Sequence, residues 1–464
     1  MGERRRVRLC VRNARRKAAI CIALVSAWAL TGCCALRGYS TPEGVECWQD
    51  TSPPKLSLAE KAQGYQTRLE ELHQREDGVI RYRFDTPRAP YGNLPDGSFF
   101  LGIYLSSQAL RFAATGDESA RQQILLSLRA MKLYAEVSGK PGLLARYLAP
   151  VKPDDDDRWL QSKIHPEYFW RSDVSKDQYA GCVHGLGVTY AVVADPEVRA
   201  AIAPIATAIA DHLVEHDLRI VDWDGEPTTF SSLRGRAWGY PLGVNALIAL
   251  AAAKVAAVAS DDPKYAKFYD SLVNDGYPEL SSSAHISFFG VAYRVNDNMA
   301  YLAWYPLLLL ERNGSIRRKL QAGARKTWSA VSEDQNAFFS FVHAATVGTE
   351  LDELGDGEKP EDEGRQLGKK SLAKFPDRKI AWPVDLTRER FDFPRAFLNG
   401  KSCLPRSTRP IPLYLRYRGS SMWVSDPYAL VGRLTRKGDR EYAGIDYLVA
   451  YWIGRFHGFV SADE

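Results

Sequence analysis

Signatures of metal, nucleotide and serine-hydrolase chemistry are missing from this 464-residue chain. Its seven cysteines include no C-x-x-C pair and no Cys/His cluster at ligand spacing, which argues against a structural zinc site. No G-x-x-x-x-G-K-[ST] loop, H-E-x-x-H helix or G-x-S-x-G elbow occurs, so P-loop, zincin and α/β-hydrolase mechanisms lose their defining parts. The glycine-rich stretch from Gly181 to Gly187 falls inside a helical pattern, without the strand-turn-helix setting of a dinucleotide site. No metal and no cofactor are expected. Long apolar runs are equally scarce. The first, Ala18 to Leu30, is shorter than the about 20 residues that span a bilayer.

What the N-terminus does contain is ordered: Arg4, Arg5, Arg6, Arg8, Arg12, Arg15, Arg16 and Lys17, then the apolar run, then Leu30-Thr31-Gly32-Cys33. This is the three-part layout of an export signal, and its last four residues resemble the lipobox of bacterial lipoproteins. The resemblance implies cleavage after Gly32, lipid on Cys33 and a membrane partner reached through that lipid. It also implies a cell-envelope location, which in a Gram-negative cell would be the outer membrane, because Cys34, not Asp, follows the lipidated residue.

Residues 1–32 carry eight Lys/Arg against one acid, a net of +7, whereas the whole chain carries +5. The chain after the signal is therefore near −2, and the apparent basicity offers no case for a nucleic-acid partner. Export to an oxidising compartment permits a disulfide among Cys34, Cys47, Cys182 and Cys403, but spacing selects no pair.

Residues 33–56 read as a tether rich in Gly, Pro, Ser and Thr. Order begins at Ser57, where Ser57-Leu-Ala-Glu60 has capping-box spacing. From there one theme repeats: an apolar helix, a tight connector, then an amphipathic helix. The connectors Thr115-Gly-Asp117, Ala194-Asp-Pro196, Asp261-Asp-Pro263 and Asn313-Gly-Ser315 supply helix N-caps. Helix pairs are predicted at 98–115 with 117–138, 176–194 with 196–217, 240–259 with 263–276, and 297–312 with 315–331. Two more join 335–348 with 364–374 across an acidic insert, and 443–456 with 57–75. Short β-hairpins are predicted at Val79–Phe84, Ile286–Val295 and Pro412–Val424.

Six pairs with buried first helices and half-exposed second helices make a mainly α chain, an (α/α)6 toroid over residues 57–460. The pattern is similar to the six-hairpin glycosidase superfamily. That resemblance implies a site where the N-termini of the inner helices converge.

The segments leading into those helices mix acids, amides and Arg with aromatics, a combination suited to a sugar, in a chain with 11 Trp and 23 Tyr. Asp173, Asp177 and Asp297 are the candidate catalytic acids, since glycoside hydrolysis uses two carboxylates across one bond. Asp177 also fits helix-dipole stabilisation, and any of Asn296, Asp297 and Asn298 could be a cap. Asp96, His184, Trp238, Tyr293, Arg294, Asn298 and Asp446 are candidate substrate-binding residues. The glycines around His184 would let a ligand or a helix come close.

The leading expectation is a lipid-anchored glycoside hydrolase acting on a glycan. A lyase or uronate epimerase using His184, Tyr293 and Arg294 is the rival chemistry. A non-catalytic glycan- or protein-binding lipoprotein is the third reading, favoured by a plugged funnel or by a lack of paired acids.

Overall fold

The computed structural model describes residues 52–85, 94–288, 291–348, 360–380, 386, 395–398, 403–430 and 440–464. The signal and lipid site at Cys33, the other N-terminal cysteines, most of the tether and most of the acidic insert lie outside them. Among the described residues, the helices of ten residues or more are α1 Leu58–Arg68, α2 Gly97–Thr115, α3 Glu118–Glu136, α4 Lys176–Val192, α5 Pro196–Glu215, α6 Gly243–Ala259, α7 Pro263–Asn274, α8 Arg294–Leu310, α9 Gly314–Val331, α10 Ala337–Thr346, α11 Pro360–Ala373 and α12 Ile445–Phe456.

Every predicted helix pair is present. The even-numbered helices touch in cyclic order, α2 on α4, α4 on α6, α6 on α8, α8 on α10, α10 on α12 and α12 back on α2. The others back this ring from outside, α11 against α10 and α1 against α12 among them. The result is an (α/α)6 toroid. Burial follows the sequence pattern: α6 is buried on almost every side, whereas α5 buries only a stripe, Val198, Ile202, Ile205, Ile209 and Leu213.

The tight connectors work as caps. Asp117, Asp195, Asp262 and Asn313 each accept hydrogen bonds from backbone N–H groups in the first turn that follows. Asp195 also binds Arg121, with Nε at 2.8 Å, tying α3 to α5 across the outer ring. The ring closes through the ends of the domain: the Tyr447 hydroxyl donates to Leu58 O at 2.9 Å, and Leu58 N donates to Glu464 O at 2.6 Å.

Glycine sets the closest inner contact. A Cβ on Gly102 would lie 2.0 Å from Gly181 O, one on Gly181 2.5 Å from Phe99 O, and one on Gly185 2.4 Å from Gly102 O. α2 and α4 therefore meet backbone to backbone, and the glycines beside His184 admit a helix rather than a ligand. Cys182, in the same helix, is a free, fully buried thiol whose Sγ donates to Ser98 O, so it takes no part in the disulfide that an exported chain permits.

Strand structure is minor; the predicted 286–295 hairpin is present, and the other strands differ from expectation. Arg83–Asp85 pairs with Arg440–Tyr442, and Ser287–Phe288 pairs with Val291–Ala292. The segment Pro412–Val424 is not a hairpin: it forms two 3-10 turns, Leu413–Leu415 and Met422–Val424, because groups inside the ring engage its polar atoms. Unpredicted strands appear at 148–149, 159–161 and 169–171 before α4, and in two hairpins, 219–221 with 227–232 and 236–237 with 240–241, before α6.

Replacing Gly102 with Ala should lower stability by about 3 kcal/mol or more, since neither backbone can retreat. Asn313→Ala, which removes one cap, should cost about 1 kcal/mol. Chemical denaturation of the two variants checks the contrast, and equal effects would contradict the backbone contact.

Candidate functional site

The first turns of the inner helices meet at one end of the toroid. Phe100 of α2, Asn298 of α8, Phe338 of α10 and Asp446 of α12 line a single small cavity. Gln178 of α4 donates to Asp96 at the start of α2 (3.0 Å), and Lys176 of α4 donates to Asn245 Oδ1 of α6 (2.9 Å).

Among the described residues the axis is filled by side chains. Ser421 and Trp423 cap that cavity, whose volume is ≈ 10 Å³, room for about one water. Asp446 organises the plug: its carboxylate accepts from Lys379 Nζ at 2.9 and 2.7 Å and from Met422 N at 2.6 Å, while its carbonyl accepts from Trp423 Nε1 at 2.8 Å. Asn336 Nδ2 donates to Trp423 O, and Arg416 donates to Asp334 O. Lys379 is fully buried, and burial pushes its pKa down against the pull of Asp446. Asp446 is therefore a structural carboxylate, not a substrate-binding one, and buried Asn298 faces the same sealed space.

Asp297 is likewise withdrawn. It is fully buried, its Oδ1 is 3.0 Å from His285 Nδ1, and its Oδ2 is 3.7 Å from Arg294. α8 begins at Arg294, with Tyr293 as the residue before it, so none of Asn296, Asp297 and Asn298 is the cap. Arg294 is buried and donates to Asp334 at 2.7 Å, which leaves it no freedom to neutralise a uronate. Burial is the main cause that raises Asp334 to about 6.

His184 is a satisfied core residue, with Nδ1 2.8 Å from Leu302 O and Nε2 3.0 Å from the Ser106 hydroxyl. Tyr293 is exposed. The trio expected of a lyase is thus divided between core, buried ion pair and surface.

Asp173 acts as a latch. It adopts φ 54°, and its carboxylate accepts from Thr229 N (2.8 Å) and Thr229 Oγ1 (3.1 Å). Its own N–H donates to Asp222 at 2.8 Å, and its carbonyl accepts from Arg146 at 3.0 Å. These bonds fix the approach to α4 against the 219–232 hairpin, and they explain Asp173 without chemistry.

Two acids remain. Asp96 stands at the N-cap position of α2, yet its side chain makes no capping bond. It accepts instead from Gln178 and, at 3.2 Å, from Arg146. Asp177, half-buried in the first turn of α4, has its pKa raised by burial first and by repulsion from Asp96 second, with Lys176, Arg146 and Ser175 pulling the other way. Lys176 beside it is pushed down by burial. Asp96, Arg146, Lys176, Asp177, Gln178 and Asn245 form a polar cluster where α2, α4 and α6 begin, on the side of the ring away from the plug. Arg146 and Asn245 went unnoticed in the sequence because no motif surrounds them; only the fold brings them to Asp177.

No family model and no curated protein matches this chain. Among solved structures it is similar to a GH76A α-1,6-mannanase from Salegentibacter sp. (10% identity over 87% of this chain and 100% of that one, TM-score 0.44). It is also similar to a GH76 α-mannanase from Bacteroides thetaiotaomicron (8%, 87% and 96%, TM-score 0.44). A mutant unsaturated glucuronyl hydrolase from Streptococcus agalactiae gives 11%, 91% and 98%, with a TM-score of 0.38. These are likenesses of chain path at low identity.

Burial holds His73, His184, His212, His343 and His457 down to about 4 each. The unfolded chain, with His near 6.5, therefore binds more protons than the folded one between pH 6.5 and 4. Their contribution is complete above 6.5 and falls away as pH drops through that window, by on the order of 3 kcal/mol for fully buried His184 alone. Denaturant midpoints should be clearly lower at pH 5 than at pH 7; a flat profile would contradict the assignment.

Proposed function

We propose that this chain is an exported, lipid-anchored protein that hydrolyses glycosidic bonds with the Asp96–Asp177 pair at the rim of its toroid. The observation that carries the reading is the unequal environment of the two acids. Asp177, half-buried and repelled by Asp96, is biased toward its protonated form and is the proton donor to the glycosidic oxygen. Asp96, facing Arg146 and partly open to solvent, is the carboxylate that activates water or attacks the anomeric carbon. The C–O bond breaks as the leaving oxygen takes the Asp177 proton. Lys176, Gln178 and Asn245 supply hydrogen-bonding groups around the same point.

The sealed axis favours a second reading, a toroid that binds a glycan at its rim without cleaving it. Asp177→Asn and Asp96→Asn separate the two. On a panel including α-1,6-mannan, xylan and pectin, each should reduce turnover by about 10²–10⁴-fold. Thermal stability should hold or rise, since a like-charge pair is relieved. Unchanged turnover in both variants, or no turnover by the parent on any polymer, would overturn hydrolysis at this pair.

The anchor rests on the lipobox residues Leu30–Cys33. Cys33→Ser should shift the protein from the membrane fraction and leave its signal uncleaved. Unaltered membrane retention with normal processing would contradict lipidation there.

A further inference from the structure

Five large aromatic side chains stand strongly exposed among the described residues: Trp223, Phe230, Trp238, Tyr240 and Tyr293. All five lie in the segments that lead into α6 and α8; no exposed Leu, Ile or Val from these segments joins them. The other rings among the described residues are buried or half-buried.

Trp238 is the extreme case, with 96% of its surface open. It occupies the first position of a two-residue turn between Ala237 and Tyr240, with φ 48°, and Gly239 follows with φ 82°. Positive φ at both positions marks a type I′ turn, for which Asn, Asp or Gly is the favoured first residue. A tryptophan there bears a backbone penalty and gains no packing from this chain. A strained, fully presented ring points to a ligand that stacks on it.

We propose that these aromatics form a platform for a neutral polysaccharide chain, extending the rim site outward from the acid pair. This deepens the glycan reading of that site and rests on it for the class of ligand. Flat rings match the CH faces of sugars, while half-buried Ser231 and Ser232 offer hydroxyl partners. Charge narrows the ligand further. Asp224 and Glu226 are exposed on either side of Gly225, next to Trp223, and they disfavour polyuronates and anionic bilayers. Of the nearby arginines, Arg234 pairs with Asp217, Arg236 donates to Asp275 O, and Arg219 lies opposite Ser232, at the far end of its hairpin from the acids.

Two links join the platform to the acids. Thr229 and Asp222 of the first hairpin bind Asp173, four residues before Asp177. Asn245, just after the Trp238 hairpin, holds Lys176, the neighbour of Asp177.

The test uses the mature protein with Trp238→Asn, which suits the turn and deletes the ring, and Asp177→Asn as a second variant. Affinity electrophoresis in neutral mannan and xylan, in polygalacturonate, and flotation with phosphatidylglycerol vesicles give the readouts. Retardation by a neutral polymer should be retained in Asp177→Asn and weakened about tenfold or more in Trp238→Asn, with no reduction in melting temperature. Neutral-polymer binding that persists unchanged in Trp238→Asn overturns the platform. So does no neutral-polymer binding by the parent, or a Trp238-dependent preference for polygalacturonate or vesicles. Trp238-dependent binding without any cleavage would uphold the platform while removing the hydrolytic reading. Cleavage with an unaltered KM in Trp238→Asn would do the reverse.

Discussion

The contact between α2 and α4 is the constraint from which the site follows. Gly102, Gly181 and Gly185 let two backbones touch where any side chain would hold them apart. That approach brings the first turns of the two helices together, so Gln178 reaches Asp96 and Asp96 acts on Asp177. A wider spacing would weaken the repulsion that favours a protonated Asp177 and would admit water between the carboxylates. Packing thus sets acidity here through geometry, by the same close approach that leaves His184 neutral and dry in the core.

The toroid divides its own mouth. Where α8, α10 and α12 begin, buried charge is matched internally, Lys379 with Asp446 and Arg294 with Asp334, and the His285 ring lies within hydrogen-bond distance of Asp297. Buried pairs of this kind lend little net stability but are damaging when one partner is lost, so they hold the 412–424 segment firmly in place. Where α2, α4 and α6 begin, the acids are less completely matched and the flanking hairpins are aromatic and exposed. One half of the rim is structural and the other half faces outward.

Much of this was legible in the sequence, and the division between legible and illegible is physical. Caps at Asp117, Asp195, Asp262 and Asn313 are local events, fixed by residues two or three positions away, and the helix pairs they punctuate were readable with them. The apolar character of α6 identified an inner helix for the same reason. The fates of the acids were not local. Asp446 is neutralised by Lys379 and by the backbone of Met422, and Asp173 is claimed by Thr229, at separations that periodicity does not register. Pro412–Val424 looks like alternating strand, but a carboxylate inside the ring binds its N–H where a neighbouring strand would have done so. Trp238 was singled out for its composition-rich surroundings; its strained turn appears only in the backbone angles.

The meeting of Leu58 with Glu464 and Tyr447 has a further consequence. Because the opening helix leans on the last one, the ring has no seam that the order of synthesis can close early: α2 lacks one neighbour until α12 is present. Closing the ring therefore carries the entropic disadvantage of joining segments 389 residues apart. Seen as a topology, the ring is closed by its opening and last helices leaning on each other.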